Sequence, residues 1–329
     1  MQTVFLIGNG FDVNLGLKTR YAEFYEYYLN IPTENKNIRN LKEHLRENKS
    51  DFWSDLEIAL GKYTAELSSF EQMEEVYDDI NNEMQRYISS IENMSLPKDI
   101  DIELFKNNIS SPESFLSPAE VSRIKMVYEN LVRTNHFIDI INFNYTSTID
   151  KILGYDSQFL TIAPSIYNSS LKTIVRSVIH IHGAINDPIL GVDNVSQISN
   201  EELIKSGDII GYLVKPLINT TLGSLVDAKA KKTILDANLI CIYGMSLGET
   251  DATWWKLVGE RLQKGTIVVL YVYDKDANNL AARKKAQFNK KWRNKFFDVA
   301  GIGESKRIDL EKKLIIAPNT KIFDIRTNL

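Results

Sequence analysis

The chain alternates between short, wholly apolar runs and long segments in which apolar residues recur every three or four positions. The apolar runs are rich in β-branched residues and end at glycine, asparagine or aspartate, a pattern typical of strands buried in a parallel sheet. The predicted strands are Thr3–Ile7, Phe137–Phe143, Phe159–Ala163, Ser177–Ile181, Asn238–Tyr243 and Thr266–Tyr273, with "KLIIAP" near Lys313 as a candidate edge strand. The pattern therefore predicts an α/β protein with a largely parallel sheet.

A long polar region separates the first two predicted strands. Its segments "FWSDLEIALGKYTAEL" and "FEQMEEVYDDINNEMQRYI" carry apolar residues at helical spacing. Because this crossover is far longer than the usual connection between parallel strands, we expect helices that form a layer of their own. The sequence predicts one Rossmann-like domain over residues 1–329, with a helical insertion over residues 20–135.

Composition narrows the class of protein. Of 329 residues, 43% are hydrophobic and 25% charged, and the formal net charge is -4, which predicts a globular protein for which nucleic acid is an unlikely partner. The single cysteine, Cys241, lies in an apolar run and has no disulfide partner within the chain. The N-terminal residues lack the features of a signal peptide, and no apolar run reaches the roughly 18 residues of a membrane helix. We expect a cytoplasmic protein that does not enter the membrane.

The first candidate motif is "LIGNGFDVNLG", where Gly8 and Gly10 follow a predicted strand. Glycines in this position let backbone N–H groups approach a phosphate at the start of a helix. The third glycine of the dinucleotide fingerprint is absent, because Val13 occupies its position. A tight turn without a ligand is the alternative interpretation.

The second motif is "INFNYTSTID", in which Asn142, Asn144 and Thr146 end a strand at the sheet edge where ligands bind in open α/β sheets. The alternative is that Asn144 or Thr146 caps a helix beginning near Ser147.

The third motif, "SVIHIHGAI", places His180 and His182 on one face of a strand. His182, at the end of the strand, is the candidate general base, and His180 is interpreted as a core histidine. The other histidines, His44 and His136, offer no pattern for a metal site, so no metal is expected.

The fourth motif is "LICIYGMSLGETD", with Gly244, Ser246 and Asp251 leading into the amphipathic segment "ATWWKLVGERL". Its small residues suit a loop that closes on a ribose or phosphate, whereas Asp251 suits either a helix cap or a ribose contact. Because four loops follow four predicted strands at one edge of one sheet, we expect them to form a single site.

Six motifs in this order resemble the AbiH family of phage abortive-infection proteins, from near Met1 to past Trp255. They are "FLIGNGFDVNLGLKTRYAEF", "FWSDLE", "FNYT", "HIHG", "ILGVD" and "YGMSLGETD". AbiH proteins are in turn distantly similar to sirtuin-like NAD-binding proteins, so the resemblance implies a dinucleotide site.

The resemblance implies a role for individual residues. Asn144 matches the catalytic asparagine and His182 the general-base histidine. The NAD-binding loops correspond to Gly8, Asn9, Gly10, Phe11, Gly244 and Ser246, to which Asp251 is added from the fourth motif. The chain departs from sirtuins at Asn9, usually alanine, at Thr146, usually aspartate, and in lacking a four-cysteine zinc module, which argues against a protein deacylase.

The expected function is therefore that of an antiphage NAD hydrolase, with NAD as its substrate. A phage-derived trigger or partner protein and a homo-oligomer are the expected partners. A nucleotide-binding sensor and a nuclease-type toxin are the alternatives. The acidic residues Asp55 and Glu57 in "FWSDLE" point in different directions on a helix, and residues Trp53–Glu57 are interpreted as a helix start capped by Ser54.

Overall fold

The computed structural model describes residues 1–48, 56–94, 96–129, 134–165, 168–184, 187–277 and 280–327. Its strands are β1 (Gln2–Ile7), β2 (His136–Asn142), β3 (Leu160–Ser165), β4 (Asn168–His180), β5 (Gly183–Ala184), β6 (Asp187–Pro188), β7 (Leu239–Tyr243), β8 (Ile267–Val272) and β9 (Leu314–Pro318). Residues of β1 and β8 are all buried, since both faces of the sheet are covered.

Within these residues, seven strands form one sheet in the order β3-β4-β2-β1-β7-β8-β9, while β5 and β6 form a separate short pair. Neighbouring strands of the large sheet are parallel except β3 and β4, which are antiparallel. The predicted α/β class and the largely parallel sheet are confirmed. The strand predicted at Phe159–Ala163 is observed as β3, an antiparallel edge strand. Strand β4 begins earlier than predicted because its first half, which pairs with β3, is less uniformly apolar.

The order of the strands reverses near the middle of the sheet, so the loops that follow the strands diverge there and leave a crevice. The chain builds outward from β1 to β2 and β4, then returns to the other side of β1 with β7, β8 and β9. In open α/β sheets, ligands bind outside the carboxyl ends of the strands at the point where the order reverses. That point lies between β1 and β7.

Between β1 and β2 the described residues form helices. These are α1 (Gly10–Asn14), α2 (Tyr21–Leu29), α3 (Lys36–Glu47), α4 (Leu56–Tyr63), α5 (Phe70–Glu92), α6 (Ile102–Ser110) and α7 (Pro118–Glu129). The longest of them, α5, begins where the Ser69 hydroxyl accepts the Gln72 N–H, and it buries residues at helical spacing such as Met73, Ile80 and Met84.

The remaining helices follow the later strands. They are α8 (Thr148–Leu153), α9 (Glu201–Ser206), α10 (Asp208–Leu213), α11 (Lys215–Thr221), α12 (Val226–Leu235), α13 (Ala252–Gln263), α14 (Ala282–Val299) and α15 (Glu304–Leu310). Across the described ranges, no helix combines the length and apolarity needed to cross a membrane.

Three apolar cores hold these layers together. One face of the sheet packs against α12, α13 and α14, and the other packs against α1, α6, α7 and α8. The third core joins α2–α5 to α9 and α10, so the helices inserted after β1 pack with helices that follow β6. Cys241 lies in β7 at the centre of the sheet and is completely buried.

Candidate functional site

A cavity of about 340 Å³ lies at the carboxyl ends of β1, β2, β4 and β7. Seven of the predicted site residues line it, namely Gly8, Asn9, Asn144, His182, Gly244, Ser246 and Asp251. Its other wall comes from the helical layer, including Phe24 of α2 and Met84 of α5. The cavity therefore lies between the sheet and the helices inserted after β1.

Gly10 and Phe11, although described, are not among the residues lining this cavity. The Gly10 N–H donates to the Gly244 carbonyl at 2.8 Å, and the Phe11 N–H donates to the Gly8 carbonyl at 2.9 Å. A Cβ on Gly10 would lie 2.5 Å from the Cα of Gly244, which itself has φ +68°. These glycines let the two loops pack against each other, and the two N–H groups bind carbonyls of the chain.

Asn9 shapes the wall of the cavity. Its amide nitrogen donates to the Thr19 carbonyl at 2.9 Å, and its side-chain oxygen accepts the Thr19 hydroxyl. Thr19 and the next residues, 20–22, also line the cavity. Asn9 thus ties the loop after β1 to the start of the helical layer.

Asn144 presents a side-chain amide that pairs with none of the described residues. The Asn142 side chain shapes the loop by accepting the Asn144 N–H at 3.0 Å and donating to the Thr146 carbonyl at 3.2 Å. The Asn144 side chain is only 5% exposed, yet neither of its polar atoms hydrogen-bonds to a described residue. Since buried amides normally have partners, this amide is available to a ligand.

The helix-cap interpretation of this motif is wrong. Helix α8 has Ser147 at its N-cap position, and the Glu92 carboxylate accepts the Ser147 N–H. The Thr146 hydroxyl donates instead to Asp12 Oδ2 at 2.6 Å. Neither the Asn144 nor the Thr146 side chain thus caps the helix that follows.

His182 lies among charged residues at the rim of the sheet. Its Nε2 is 3.3 Å from Lys215 Nζ and 3.5 Å from Asp251 Oδ1, and its ring packs edge-on against Phe143. His180 has a different partner, because its Nε2 is 2.9 Å from Asp150 Oδ2. The two histidines, which the sequence places on one face of a strand, therefore contact different residues.

Asp251 occupies the N-cap position of α13, but its carboxylate forms no capping hydrogen bond. It is directed toward His182. Burial acts to raise the pKa of Asp251, but the contact with His182 and the charge of Lys215 outweigh burial and hold the pKa below its usual value. Asp251 is therefore an ionised member of the cavity that lies at the N-cap position of α13 without capping the helix through its side chain.

A buried ion pair that the sequence did not reveal supports this group. Lys215 Nζ lies 2.8 Å from Glu57 Oε2, and both side chains are buried. Burial acts to lower the pKa of Lys215, yet Glu57 and Asp251 raise it above its usual value, so the ammonium stays charged. The only signal for Glu57 was its place in "FWSDLE". Residues Trp53, Ser54 and Asp55 of that motif lie outside the described residues.

Asp12 is the second residue that sequence reasoning missed. It is completely buried and lines the cavity, and its Oδ1 accepts no hydrogen bond from the described residues. Burial raises the pKa of Asp12 to about 6, despite the lowering effect of the Thr146 and Thr148 hydroxyls. In the sequence, the indication of this residue was its position as the aspartate of the motif "GNGFD".

Asp193, in the motif "ILGVD", lies behind His182. Its Oδ2 accepts the Thr253 hydroxyl at 3.1 Å, and burial raises its pKa. In the described part of the chain, no group of three or more histidine, cysteine or carboxylate side chains is arranged to hold a metal ion.

The fold and the site define an α/β protein with a cavity, lined in part by charged and polar side chains, at the edge of a largely parallel sheet. The chain matches the family model of bacteriophage abortive infection AbiH over residues 4–273, and so it belongs to the AbiH family. A comparison with curated proteins found no match. Each motif that carried the resemblance contributes a residue to the cavity or to the side chains directly behind it.

Proposed function

We propose that this AbiH protein is an abortive-infection enzyme that hydrolyses NAD+ to nicotinamide and ADP-ribose. One observation carries the proposal. The Asn144 amide is buried and has no partner among the described residues, and it lines the same cavity as His182. An unpaired amide beside a histidine suits a site that orients a ribose and moves a proton.

The sheet supports a dinucleotide as the ligand. Numbered along the chain, its parallel strands have the spatial order 3-2-1-4-5-6, which is the order of Rossmann-like dinucleotide-binding folds. The cavity volume of about 340 Å³ is at the lower end of the range of roughly 300–1,000 Å³ for small-molecule pockets. We assign it to the nicotinamide and its ribose, the end of NAD+ at which the bond breaks.

The reaction needs little covalent help from the protein. The bond between the ribose C1′ and the nicotinamide nitrogen breaks, and both electrons leave with the nicotinamide. Water then adds to C1′ and loses a proton. In this scheme the Asn144 amide hydrogen-bonds the ribose hydroxyls and the water, and His182 accepts the proton.

The neighbours of His182 set its role as a base. Both charged neighbours of the ring, Lys215 Nζ and Asp251 Oδ1, lie at Nε2, so Nδ1 can accept a proton in the tautomer whose Nε2–H is directed at Asp251. The Nε2 to Oδ1 distance of 3.5 Å is long, but contacts of this kind shorten when a substrate binds. The contact with His182 and the charge of Lys215, which pairs with Glu57, hold the pKa of Asp251 below its usual value.

Purified protein incubated with NAD+ tests the proposal, with nicotinamide and ADP-ribose as the measured products. We expect Asn144→Ala and His182→Ala each to reduce turnover by about a hundredfold or more while melting temperatures are retained. His180→Gln, a histidine variant outside the cavity, should keep turnover within a few-fold of wild type.

The same variants in infected cells separate the alternatives. Wild-type cells and cells with His180→Gln should lose NAD+ during infection, and cells with either alanine variant should keep it. Protection with unchanged NAD+ would overturn the proposal. Unchanged NAD+ with loss of protection in both alanine variants points to a nucleotide sensor, and degraded nucleic acid points to a nuclease.

A further inference from the structure

Asp12 is a buried carboxylate that pairs with no cationic side chain among the described residues. Within the described residues no ion pair joins it to lysine, arginine or histidine, and the charge that acts on it is the like charge of Glu92. Its hydrogen bonds do not offset the burial either, because the Thr146 and Thr148 hydroxyls donate to the carboxylate but Oδ1 accepts no hydrogen bond from the described residues. A fold rarely keeps such a group unless something else neutralises it.

None of the described residues that line the cavity brings a lysine or arginine side chain into contact with Asp12. Of the described residues that line it, Asp12, Glu57 and Asp251 are acidic, and Lys215 already serves the latter two. Arg20 also lines the cavity, but its side chain is 57% exposed and its guanidinium binds Glu23. The charge that complements Asp12 is therefore one that a ligand brings.

We infer that Asp12 is the anionic catalytic group of this cavity, which recognises the positively charged pyridinium riboside of an oxidised nicotinamide nucleotide. This inference rests on the proposed function and names its substrate class. Cationic N-ribosides such as NAD+ and nicotinamide mononucleotide fit the cavity, and uncharged ones such as NADH do not.

The same carboxylate serves the bond-breaking step. As the C1′–N bond breaks, both of its electrons go to the nicotinamide nitrogen, and the positive charge moves from the ring to C1′ and O4′ of the ribose. Asp12 stays ionised and stabilises this charge at its new position. Water adds to C1′, its proton leaves through His182, and the products are nicotinamide, ADP-ribose and a proton.

The test measures charge recognition apart from hydrolysis. Carba-NAD+, in which a methylene group replaces the ribose ring oxygen, keeps the pyridinium charge but cannot form the cleavage intermediate. Its reduced form is uncharged at the ring. Calorimetry at pH 7.5 compares both ligands on wild type, on Asp12→Asn and on Asp156→Asn, a control at an exposed loop residue.

We expect wild type and Asp156→Asn to bind carba-NAD+ at least tenfold more tightly than its reduced form, and Asp12→Asn to bind both equally. NAD+ turnover by Asp12→Asn should fall at least a hundredfold. Asp12→Ser removes the same charge and repeats the measurement if Asp12→Asn does not fold.

The outcomes distinguish the inferred role of Asp12 from the proposed NAD+ hydrolysis. Hydrolysis by wild type with no charge preference, or with full activity in Asp12→Asn, overturns the role of Asp12 and leaves the proposed function standing. A charge preference that depends on Asp12 without any hydrolysis supports the role of Asp12 in recognition and overturns the proposed reaction. Absence of binding and of hydrolysis overturns both.

Discussion

At the scale of single residues, Asp12 and Lys215 are two buried charges with opposite effects on the stability of the fold. Asp12 ionises at a higher pH in the folded protein than in the unfolded chain, because burial disfavours its charge. Lys215 keeps its charge because the carboxylates of Glu57, Asp251 and Asp193 outweigh the effect of burial. For each residue we predict how a substitution changes the free energy of unfolding, and neither prediction depends on the reaction.

Replacing Asp12 with asparagine should stabilise the protein at pH 7.5. The folded pKa of Asp12 is about 6 and its usual value is 3.8, so folding binds a proton between these values and wild-type stability falls as pH rises through them. At about 1.4 kcal/mol per pKa unit, Asp12→Asn should gain up to about 3 kcal/mol in the free energy of unfolding.

The gain should shrink at pH 4.5, where Asp12 is protonated in the folded protein. Urea unfolding of both proteins at the two pH values measures it. Other titrating groups are common to both proteins and cancel in the difference. A variant less stable than wild type at pH 7.5 would show that the Asp12 charge is satisfied by the fold.

Replacing Lys215 with methionine should be strongly destabilising. The variant leaves Glu57 and Asp251 buried without their cation, a change that costs about 3–5 kcal/mol in comparable sites. Lys232→Met is the matched control, because its pair with Asp236 is exposed and should contribute at most about 1 kcal/mol. Equal losses in urea unfolding of the two variants would contradict the buried pair.

At the scale of elements, the loops after β1 and β7 show where sequence reasoning succeeds. Uniform apolar runs identified the central strands closely, since burial on both faces leaves no polar alternation. The same reasoning correctly placed the glycine loops at strand ends. It could not tell that Gly10 contacts Gly244, because that contact joins segments far apart in the chain.

Long-range contacts also explain the missed residues. Lys215 and Glu57 are 158 positions apart, and nothing in "YLVKPLI" distinguishes this lysine from one at the surface. Asn144 and His182 could be predicted as site residues because each follows an apolar strand. The sequence therefore predicted the cavity floor, which the sheet builds, better than the side chains that approach from the helices.

Gly10→Ala tests the contact between the two loops. Its Cβ would lie 2.5 Å from the Cα of Gly244, so the loops must separate, at a cost of about 1–3 kcal/mol. Gly211→Ala is the control, because nothing lies within 4 Å of its Cβ and alanine favours its helix, α10. Thermal unfolding should rank Gly10→Ala well below wild type and Gly211→Ala at or above it. The reverse ranking would mean that the loops are not in contact.

At the scale of the whole molecule, the cavity depends on two layers that fold from distant parts of the chain. The sheet loops supply Asn144 and His182, and the helices inserted after β1 supply the opposite wall. The core of that helical layer includes residues from α9 and α10. A ligand in the cavity therefore contacts both layers and should stabilise them together.

Because Cys241 is buried in the centre of the sheet, the reactivity of its thiol reports how often the sheet opens. A thiol buried between β1 and β8 can react with Ellman's reagent only when the centre of the sheet opens, so its labelling rate counts global opening events. Carba-NAD+ should slow this labelling in wild type in proportion to its occupancy. Labelling as fast as that of the denatured chain would contradict the buried thiol. The labelling rate of Cys241, which lies in the strand before the Gly244 loop, can therefore rank candidate ligands before any product is detected.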